Sequence, residues 1–131
     1  MEPVLSVADH ELAMKIKSLG FRLPVNYRYK GGMIDVPAEK IPYDHNGDKS
    51  ADICSAPYLQ EVQAWLSQRK RIDVLVYKDL FFGQNGGYYA VVARRKDNVI
   101  RETRKVFSYN LALEAGVRTA VGLLCKKRKA K

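Results

Sequence analysis

The chain has 131 residues, of which 47% are hydrophobic, 10% aromatic and 28% charged. This length suits one domain of ordinary size, and the composition is that of an apolar core beneath a charged surface, which excludes a fibrous or disordered chain. The net charge is +9, and it is unevenly divided: residues 1–67 hold 7 basic and 9 acidic side chains, whereas residues 68–131 hold 16 and 5. A basic half favours a polyanionic partner, because net charge governs association more than fold.

The start of the chain does not have the pattern of a secretion signal. Residues 1–6 lack a basic segment followed by an apolar one. No apolar run approaches the ~18 residues that are needed to cross a bilayer. We therefore expect a cytoplasmic protein with no membrane partner.

The cysteines do not form a recognisable framework. Cys54 and Cys125 are far apart in sequence, and neither belongs to a C-x-x-C pair of the kind that binds zinc or exchanges disulfides. We expect two free thiols, no metal and no cofactor. A bridge between them stays open on the sequence alone, although a reducing compartment argues against it.

The first predicted element is a helix over residues 7–19. Residues 6–9 have the S-x-x-D form of a capping box, and the apolar residues Leu12, Ile16 and Leu19 follow at helical spacing. Alternating apolar and polar residues from Val25 onward then predict a hairpin that turns at Gly31 and ends at residue 36. Residues 37–55 have no periodicity, and we expect a long loop there.

The second half predicts a helix, three strands and a final helix. The helix begins near Pro57 and has an apolar face that includes Trp65, which we expect to be buried. Strands are predicted over residues 72–77, 88–93 and 99–107, with a turn at residues 85–87. Ser108 is expected to cap the last helix, whose apolar stripe consists of Leu113, Val117, Ala120 and Leu124.

The element order is therefore α-β-β-α-β-β-β-α, which predicts an α+β fold with an antiparallel sheet and helices packed on one face. We expect a single domain over residues 1–125, followed by a basic, disordered tail over residues 126–131. The tail belongs to the terminal sequence CKKRKAK. Its cations should attract polyanions weakly and in a salt-sensitive way, through counterion release.

Several stretches have a partial likeness to catalytic or metal sites. Residues 44–48 begin like a calcium loop, but Lys49 and Ser55 stand where that loop requires a glycine and a bidentate acid. His45 and Cys54 could serve as base and nucleophile only if the loop held them together, and no local signature supports this. The glycines at residues 83–87 join two strands, whereas a phosphate loop opens a helix. We therefore expect no enzymatic activity.

Nucleic-acid binding is an alternative. The order α-β-β-β-α over residues 56–124 resembles that of a double-stranded-RNA-binding domain, which grips phosphates with lysines at the start of its last helix. Residues 108–112 carry no positive charge there. The remaining basic residues of the two last strands could form a cationic hairpin surface: Arg94, Arg95, Lys96, Arg101, Arg104 and Lys105.

A second resemblance is closer. Residues 55–66 (S-A-P followed by Q-E-V-Q-A-W-L), residues 72–76 (I-D-V-L-V) and residues 107–116 (F-S-Y through A-L-E-A-G) look like small uncharacterised proteins of phages, prophages and mobile elements of gut bacteria. The similarity covers roughly residues 12–124, and it implies a genomic setting without an activity. Our leading hypothesis is a non-enzymatic accessory or protein-interaction domain, with Tyr58, Phe81 and Phe82 as its partner surface.

Overall fold

A computed structural model describes residues 6–35, 42–47 and 52–129, with side chains as far as Cys125. The elements are α1 (His10–Ser18), β1 (Arg28–Lys30), β2 (Met33–Asp35), β3 (Ile53–Ser55), α2 (Leu59–Trp65), β4 (Ile72–Asp79), β5 (Gly87–Arg94), β6 (Val99–Glu102) and α3 (Tyr109–Lys129). The predicted α+β class is confirmed, and the order matches apart from the additional strand β3. The chain divides into two compact units, Met1–Tyr58 and Leu59–Lys131.

The first unit contains α1 and a small antiparallel sheet in the order β2-β1-β3. The predicted hairpin is confirmed, with Gly31 and Gly32 at φ of 61° and 83° between its strands. Two successive residues with positive φ favour glycine, because it lacks the Cβ that clashes there. A buried cluster joins helix and sheet through Ala13, Tyr29 and Cys54.

Helix α1 begins later than predicted. Asp9 is its N-cap, and the Asp9 carboxylate accepts a hydrogen bond from the Leu12 backbone N–H at 2.9 Å. Val7 instead forms an isolated β-bridge with Tyr58, and the Ala8 N–H donates to the Pro57 carbonyl. The capping-box interpretation of residues 6–9 is therefore wrong, because extended pairing occupies the residues that were assigned to the first helical turn.

The described parts of the segment predicted as a long loop, residues 42–47 and 52–55, contain regular structure, and residues 37–41 and 48–51 of that prediction lie outside the described residues. A 3₁₀ turn spans His45–Gly47, and β3 follows it. Asn46 is buried, and its Nδ2 donates to the Phe21 carbonyl while its Oδ1 accepts from the Ser55 backbone N–H, both at 2.8 Å. The polar residues that broke the periodicity thus include one that ties this turn to the rest of the first unit.

The second unit is an antiparallel sheet in the order β4-β5-β6, with α3 packed against β4 and β5 and α2 packed against α3. The helix-facing side of β4 and β5 consists of Ile72, Val74, Ala90 and Val92, all of which are buried. The buried side of α3 comprises Ala112, Leu113, Val117, Ala120 and Val121. This arrangement confirms the predicted packing of helices on one face of an antiparallel sheet.

Two details position the helices of this unit. Trp65 is buried, as predicted, and a π-helical turn over Leu66–Lys70 continues α2 to Arg71, whose φ is 58°. Gly116 lets α3 approach the sheet closely, since a Cβ at that position would lie 2.6 Å from Val74 Cγ1 and 2.7 Å from Ala90 Cβ.

The last helix is longer than its apolar stripe indicated. The backbone of α3 continues to Lys129, four residues into the segment predicted to be a disordered tail. The predicted boundary after residue 125 is therefore not the end of the helix. Within the described residues, no helix combines the length and the apolar character that crossing a membrane requires.

Candidate interaction surface

The side of the second sheet that faces away from the helices forms an open face. Successive side chains of a strand point to opposite faces of the sheet. The residues that alternate with the buried ones therefore lie on the open face, together with their cross-strand partners. Leu75 lies opposite Val91, and Asp73 lies opposite Ala93, which is in turn opposite Ile100. The open face is therefore lined mainly by apolar side chains from all three strands.

Large apolar side chains on this face and in the β4–β5 loop beside it are exposed to solvent. The exposed fractions are 49% for Leu75, 45% for Tyr77, 62% for Ile100, 70% for Leu80 and 92% for Phe81. Single exposed apolar side chains are common, but several large ones on one side of a sheet and its adjoining loop favour an interaction site. We call Leu75, Tyr77, Ile100, Leu80 and Phe81 the apolar patch.

Two tyrosines give the patch an aromatic end. The rings of Tyr77 and Tyr89, which are cross-strand partners, stack with centroids 5.7 Å apart and an interplanar angle of 28°. The Lys105 ammonium lies 5.8 Å from the centroid of the Tyr89 ring. A cation held over an aromatic face is attracted by the negative potential of the ring, which favours this geometry.

Ion pairs mark the two ends of the open face. Arg95 pairs with Asp73 at 3.2 Å, near the start of β4, and Lys105 pairs with Asp79 at 3.0 Å, at its end. The Phe81 backbone N–H and then Lys105 hold the pKa of Asp79 below its ordinary value, while Asp79 raises the pKa of Lys105. Leu75, Tyr77 and Ile100 thus lie on a face that has an ion pair near each end of β4 and the exposed Glu102 on β6.

A shallow groove of about 320 Å³ opens at the Asp79 end. Leu80, Phe81 and Tyr89 line its apolar part, and Glu102 and Lys105 line its charged part. The groove provides a recess beside the most exposed aromatic side chain of the described residues, Phe81. Such a recess can receive a side chain from a binding partner.

Three of the six cations of the predicted hairpin surface are ion-paired. Arg94 donates to both carboxylate oxygens of Asp97, at 3.0 and 2.9 Å, and Arg95 and Lys105 are paired as described above. The three remaining cations, Lys96, Arg101 and Arg104, are exposed and have no ion-pair partner among the described residues. Half of the predicted charge is therefore matched by the protein's own acids.

The cations are also divided in space. Arg95 lies at the start of β4 through its bond to Asp73, and Lys105 lies at the end of the same strand. Since β4 has eight residues, these ends are about 23 Å apart at about 3.3 Å per residue. The apolar patch occupies the face between them.

The predicted aromatic partner residues have different environments. Phe81 is almost fully exposed, whereas Phe82 is half-buried and its ring lies 5.0 Å from that of Phe107. Tyr58 belongs to the first unit, where its ring meets that of Tyr27 edge-on at 6.0 Å. Hydrogen bonding to Tyr58 raises the pKa of Tyr27. The structure therefore places Phe81, alone of the three predicted residues, on the apolar patch.

The start of α3 has aromatic residues where a double-stranded-RNA-binding domain has lysines. Tyr109, the first residue of α3, meets the Tyr88 ring edge-on at 6.0 Å, and Phe107 just before the helix is exposed. Lys78 lies 5.3 Å from the Tyr88 ring centroid. The likeness to that class of domain is thus limited to element order.

The stretches with a partial likeness to a calcium loop or a nucleophile have the following environments. Asp44 pairs with Arg22 at 2.7 Å and accepts the Asn46 backbone N–H, as expected of a structural turn. Burial raises the pKa of the Cys54 thiol, which disfavours the reactive thiolate, and both cysteines are free. In the described ranges, no group of three or more His, Cys, Asp or Glu side chains could hold a metal ion.

Leu75, Tyr77 and Ile100 were not identified from the sequence as site residues. A signal was present in β4, where the set that alternates with the buried residues also holds two large apolar side chains, Leu75 and Tyr77, between two aspartates. A strand of this kind is expected either to be buried on both faces or to present one apolar face to a partner.

The chain matches no protein-family model, no curated protein and no solved structure.

Proposed function

We propose that this chain is a non-enzymatic protein-interaction domain that binds its partner through the apolar patch on the second sheet. The observation that carries the proposal is the exposure of Leu75, Ile100 and Phe81 on one face and its adjoining loop. Leaving these side chains in water forgoes the roughly 25 cal/mol per Å² that burial provides, so a partner gains free energy by covering them.

The composition of the surface supports a protein partner. Protein interfaces typically combine an apolar, aromatic centre with a polar rim. Here the Asp73–Arg95 and Asp79–Lys105 pairs lie at the two ends of the apolar patch. Phe81 extends from the loop beside the groove, which suits it as an anchor in a pocket of the partner.

A second candidate function is binding of single-stranded nucleic acid. The stacked Tyr77 and Tyr89 rings with Lys105 beside them are the observation that favours it, because bases stack on exposed aromatic side chains next to cations. Arg94, Arg95 and Lys105 are paired with acids of the same unit, which leaves less free positive charge for phosphates and weighs against this candidate. The phage or mobile-element setting stays a prediction.

The proposal is tested by a pull-down from native cytoplasm with and without nuclease. The variants Ile100→Ser and Phe81→Ser remove apolar surface from the patch. Leu111→Ser is the matched control, since Leu111 is 54% exposed and lies in the first turn of α3. All three positions are exposed, so each change should alter stability by about 0.5 kcal/mol or less.

We expect a protein species that survives nuclease treatment, that wild type and Leu111→Ser retain equally, and that both patch variants lose. Retention by the patch variants at wild-type levels would contradict the proposal. Capture of nucleic acid alone, lost on nuclease treatment and on Tyr77→Ala substitution, would favour the second candidate.

A further inference from the structure

Strand β4 forms an open edge of the second sheet. It has eight residues, and its one neighbour in the described sheet is β5. On β5, Tyr88 and Ala90 direct their backbone groups away from β4, toward Val106 and Thr103. The backbone groups of the residues that alternate with them, such as Tyr89 and Val91, therefore form the hydrogen bonds to β4. Because hydrogen-bonded and non-hydrogen-bonded pairs alternate along an antiparallel ladder, every second residue of β4 has its backbone N–H and C=O pointing away from β5. That set comprises Ile72, Val74, Val76 and Lys78.

A side chain confirms this direction. The Gln63 amide of α2 donates to the Val74 carbonyl, so that carbonyl points away from β5. Exposed edges of this type are templates for a further strand, and proteins commonly protect them with charge or with side-chain caps. Gln63 is such a cap, at one position of an eight-residue edge.

The two outer strands of the sheet differ in charge. Strand β4 holds 1 basic and 2 acidic side chains over residues 72–79, whereas residues 99–105, which include β6, hold 3 and 1. The β6 side carries exposed Arg101 and Arg104. Two copies that approach through the same edge bring the same charges together. The basic β6 side therefore opposes pairing with a second β6 side, whereas the nearly neutral β4 edge does not oppose pairing with a second β4 edge.

We infer that two copies of this chain associate through antiparallel pairing of their β4 edges, which joins the two sheets into one of six strands. Only registers that bring the outward-pointing residues together allow hydrogen bonding. In the register centred on Leu75, Val74 pairs with Val76 of the second copy and Ile72 pairs with Lys78. Leu75 then lies opposite its own copy, at a Cα separation of ~4.5 Å.

Charge selects this register over its neighbour. Centred on Leu75, it places Asp73 opposite Tyr77 and brings Asp79 level with Arg71 of the second copy, an attractive pairing. A register centred on Val76 instead places Asp73 directly opposite Asp79, twice in the symmetric pair. Like charges in direct cross-strand positions are destabilising.

The side of the edge that faces α2 is partly open. A groove of about 300 Å³ lies between α2 and β4, and the exposed residue of α2 that lines it is Ala64, which is small. Gln60 also lines this groove, and its Oε1 is buried with no hydrogen-bond partner among the described residues. The groove thus holds an acceptor for a donor that the second copy supplies.

The test is sedimentation equilibrium on the full chain over a range of concentrations. We expect a concentration-dependent monomer–dimer equilibrium for wild type. Leu75→Lys and Leu75→Glu each place two like charges opposite one another, so each variant alone should be monomeric. Because Leu75 is exposed, circular dichroism should show both variants folded.

Mixing the two variants is the decisive step. A lysine opposite a glutamate restores attraction across the two-fold axis, so the 1:1 mixture should form dimers. Ile100→Lys is the control on the same face at β6, and it should self-associate like wild type. The pull-down measures partner binding by the same Ile100→Lys variant separately. Loss of partner binding there concerns the apolar patch and not the β4 edge, so the two proposals can fail separately.

Gln63→Ala should change self-association in the opposite direction to the single Leu75 variants. Removing the amide that occupies the Val74 carbonyl should strengthen self-association severalfold. A wild-type chain that stays monomeric at the highest attainable concentration would overturn the inference. A variant mixture that stays monomeric, or a Gln63→Ala variant whose association is unchanged, would equally overturn it by placing the contact elsewhere.

Discussion

The two faces of the β4–β6 sheet are built from alternating residues of the same strands and have opposite environments. On the helix-facing side, Val74 and Val92 are buried under α3. On the open face, the adjacent residue Leu75 is half-exposed, although it is no less apolar than its neighbours. One face supplies the apolar core of the unit, and the other is the surface that we propose for a partner.

Substitutions on the two faces should have different effects. A change on the covered face acts on stability and thereby on every property of the protein. A change on the open face should leave the free energy of unfolding nearly constant and act on binding alone. Four predictions test this difference, from the largest expected effect to the smallest.

Trp65→Ala should have the largest effect. Trp65 is buried in α2, and removing a buried aromatic ring leaves a cavity that typically costs about 3–5 kcal/mol. Chemical denaturation followed by circular dichroism measures the loss. A native fluorescence spectrum typical of a solvent-exposed indole would contradict the buried position.

Val92→Thr and Val91→Thr compare the two faces at adjacent residues. Val92 is fully buried, so an unpaired hydroxyl there should cost about 1–3 kcal/mol. Val91 lies on the open face and is half-exposed, so the same change should cost about 0.5 kcal/mol or less. Equal losses at the two positions would show that both faces are covered.

Gly116→Ala and Gly122→Ala compare two sites on α3. At Gly116 the new methyl group collides with Val74 and Ala90, and we expect a net loss of about 1–2 kcal/mol after the gain in helix propensity. At Gly122 nothing lies within 4 Å of the added Cβ, so the variant should gain up to about 1 kcal/mol. Thermal unfolding of both variants should therefore shift in opposite directions.

Asp79 provides the smallest effect, at the border of the open face. Its folded-state pKa lies below the ordinary value of 3.8, chiefly through the Phe81 backbone N–H and also through Lys105. A lowered pKa contributes stability above the unfolded value, and that contribution is lost as the pH falls through the folded pKa. NMR titration should place the Asp79 pKa below 3.8, and Lys105→Met should raise it only in part. A value at or above 3.8 in the wild type would contradict the ion pair.

Local sequence patterns predicted the regular elements of the second unit well. The alternation from Ile72 and the stripe at Leu113, Val117 and Ala120 depend on short-range periodicity, and the structure buries those residues. The same reasoning missed β3, because three residues are too few to show a period of two. It also missed the role of Asn46, whose hydrogen bonds reach residues far away in sequence.

The candidate site was harder to predict than the fold. The pairs Asp73–Arg95 and Asp79–Lys105 join residues more than 20 positions apart, so only the register of the sheet reveals that these cations are matched. A linear count of basic residues therefore overstated the cationic surface. The apolar patch was missed because apolar side chains in both alternating sets of β4 are consistent with burial on both faces as well as with one exposed apolar face.

Site-specific photo-cross-linking tests the central claim most directly. A photoreactive amino acid replaces Ile100 on the open face in one variant and Leu111 in α3 in the other, and both variants are irradiated in a lysate of the native cells. We expect a nuclease-resistant adduct of a second protein from position 100 and none of that size from position 111. The same adduct from position 111 alone, or no protein adduct from position 100, would contradict it.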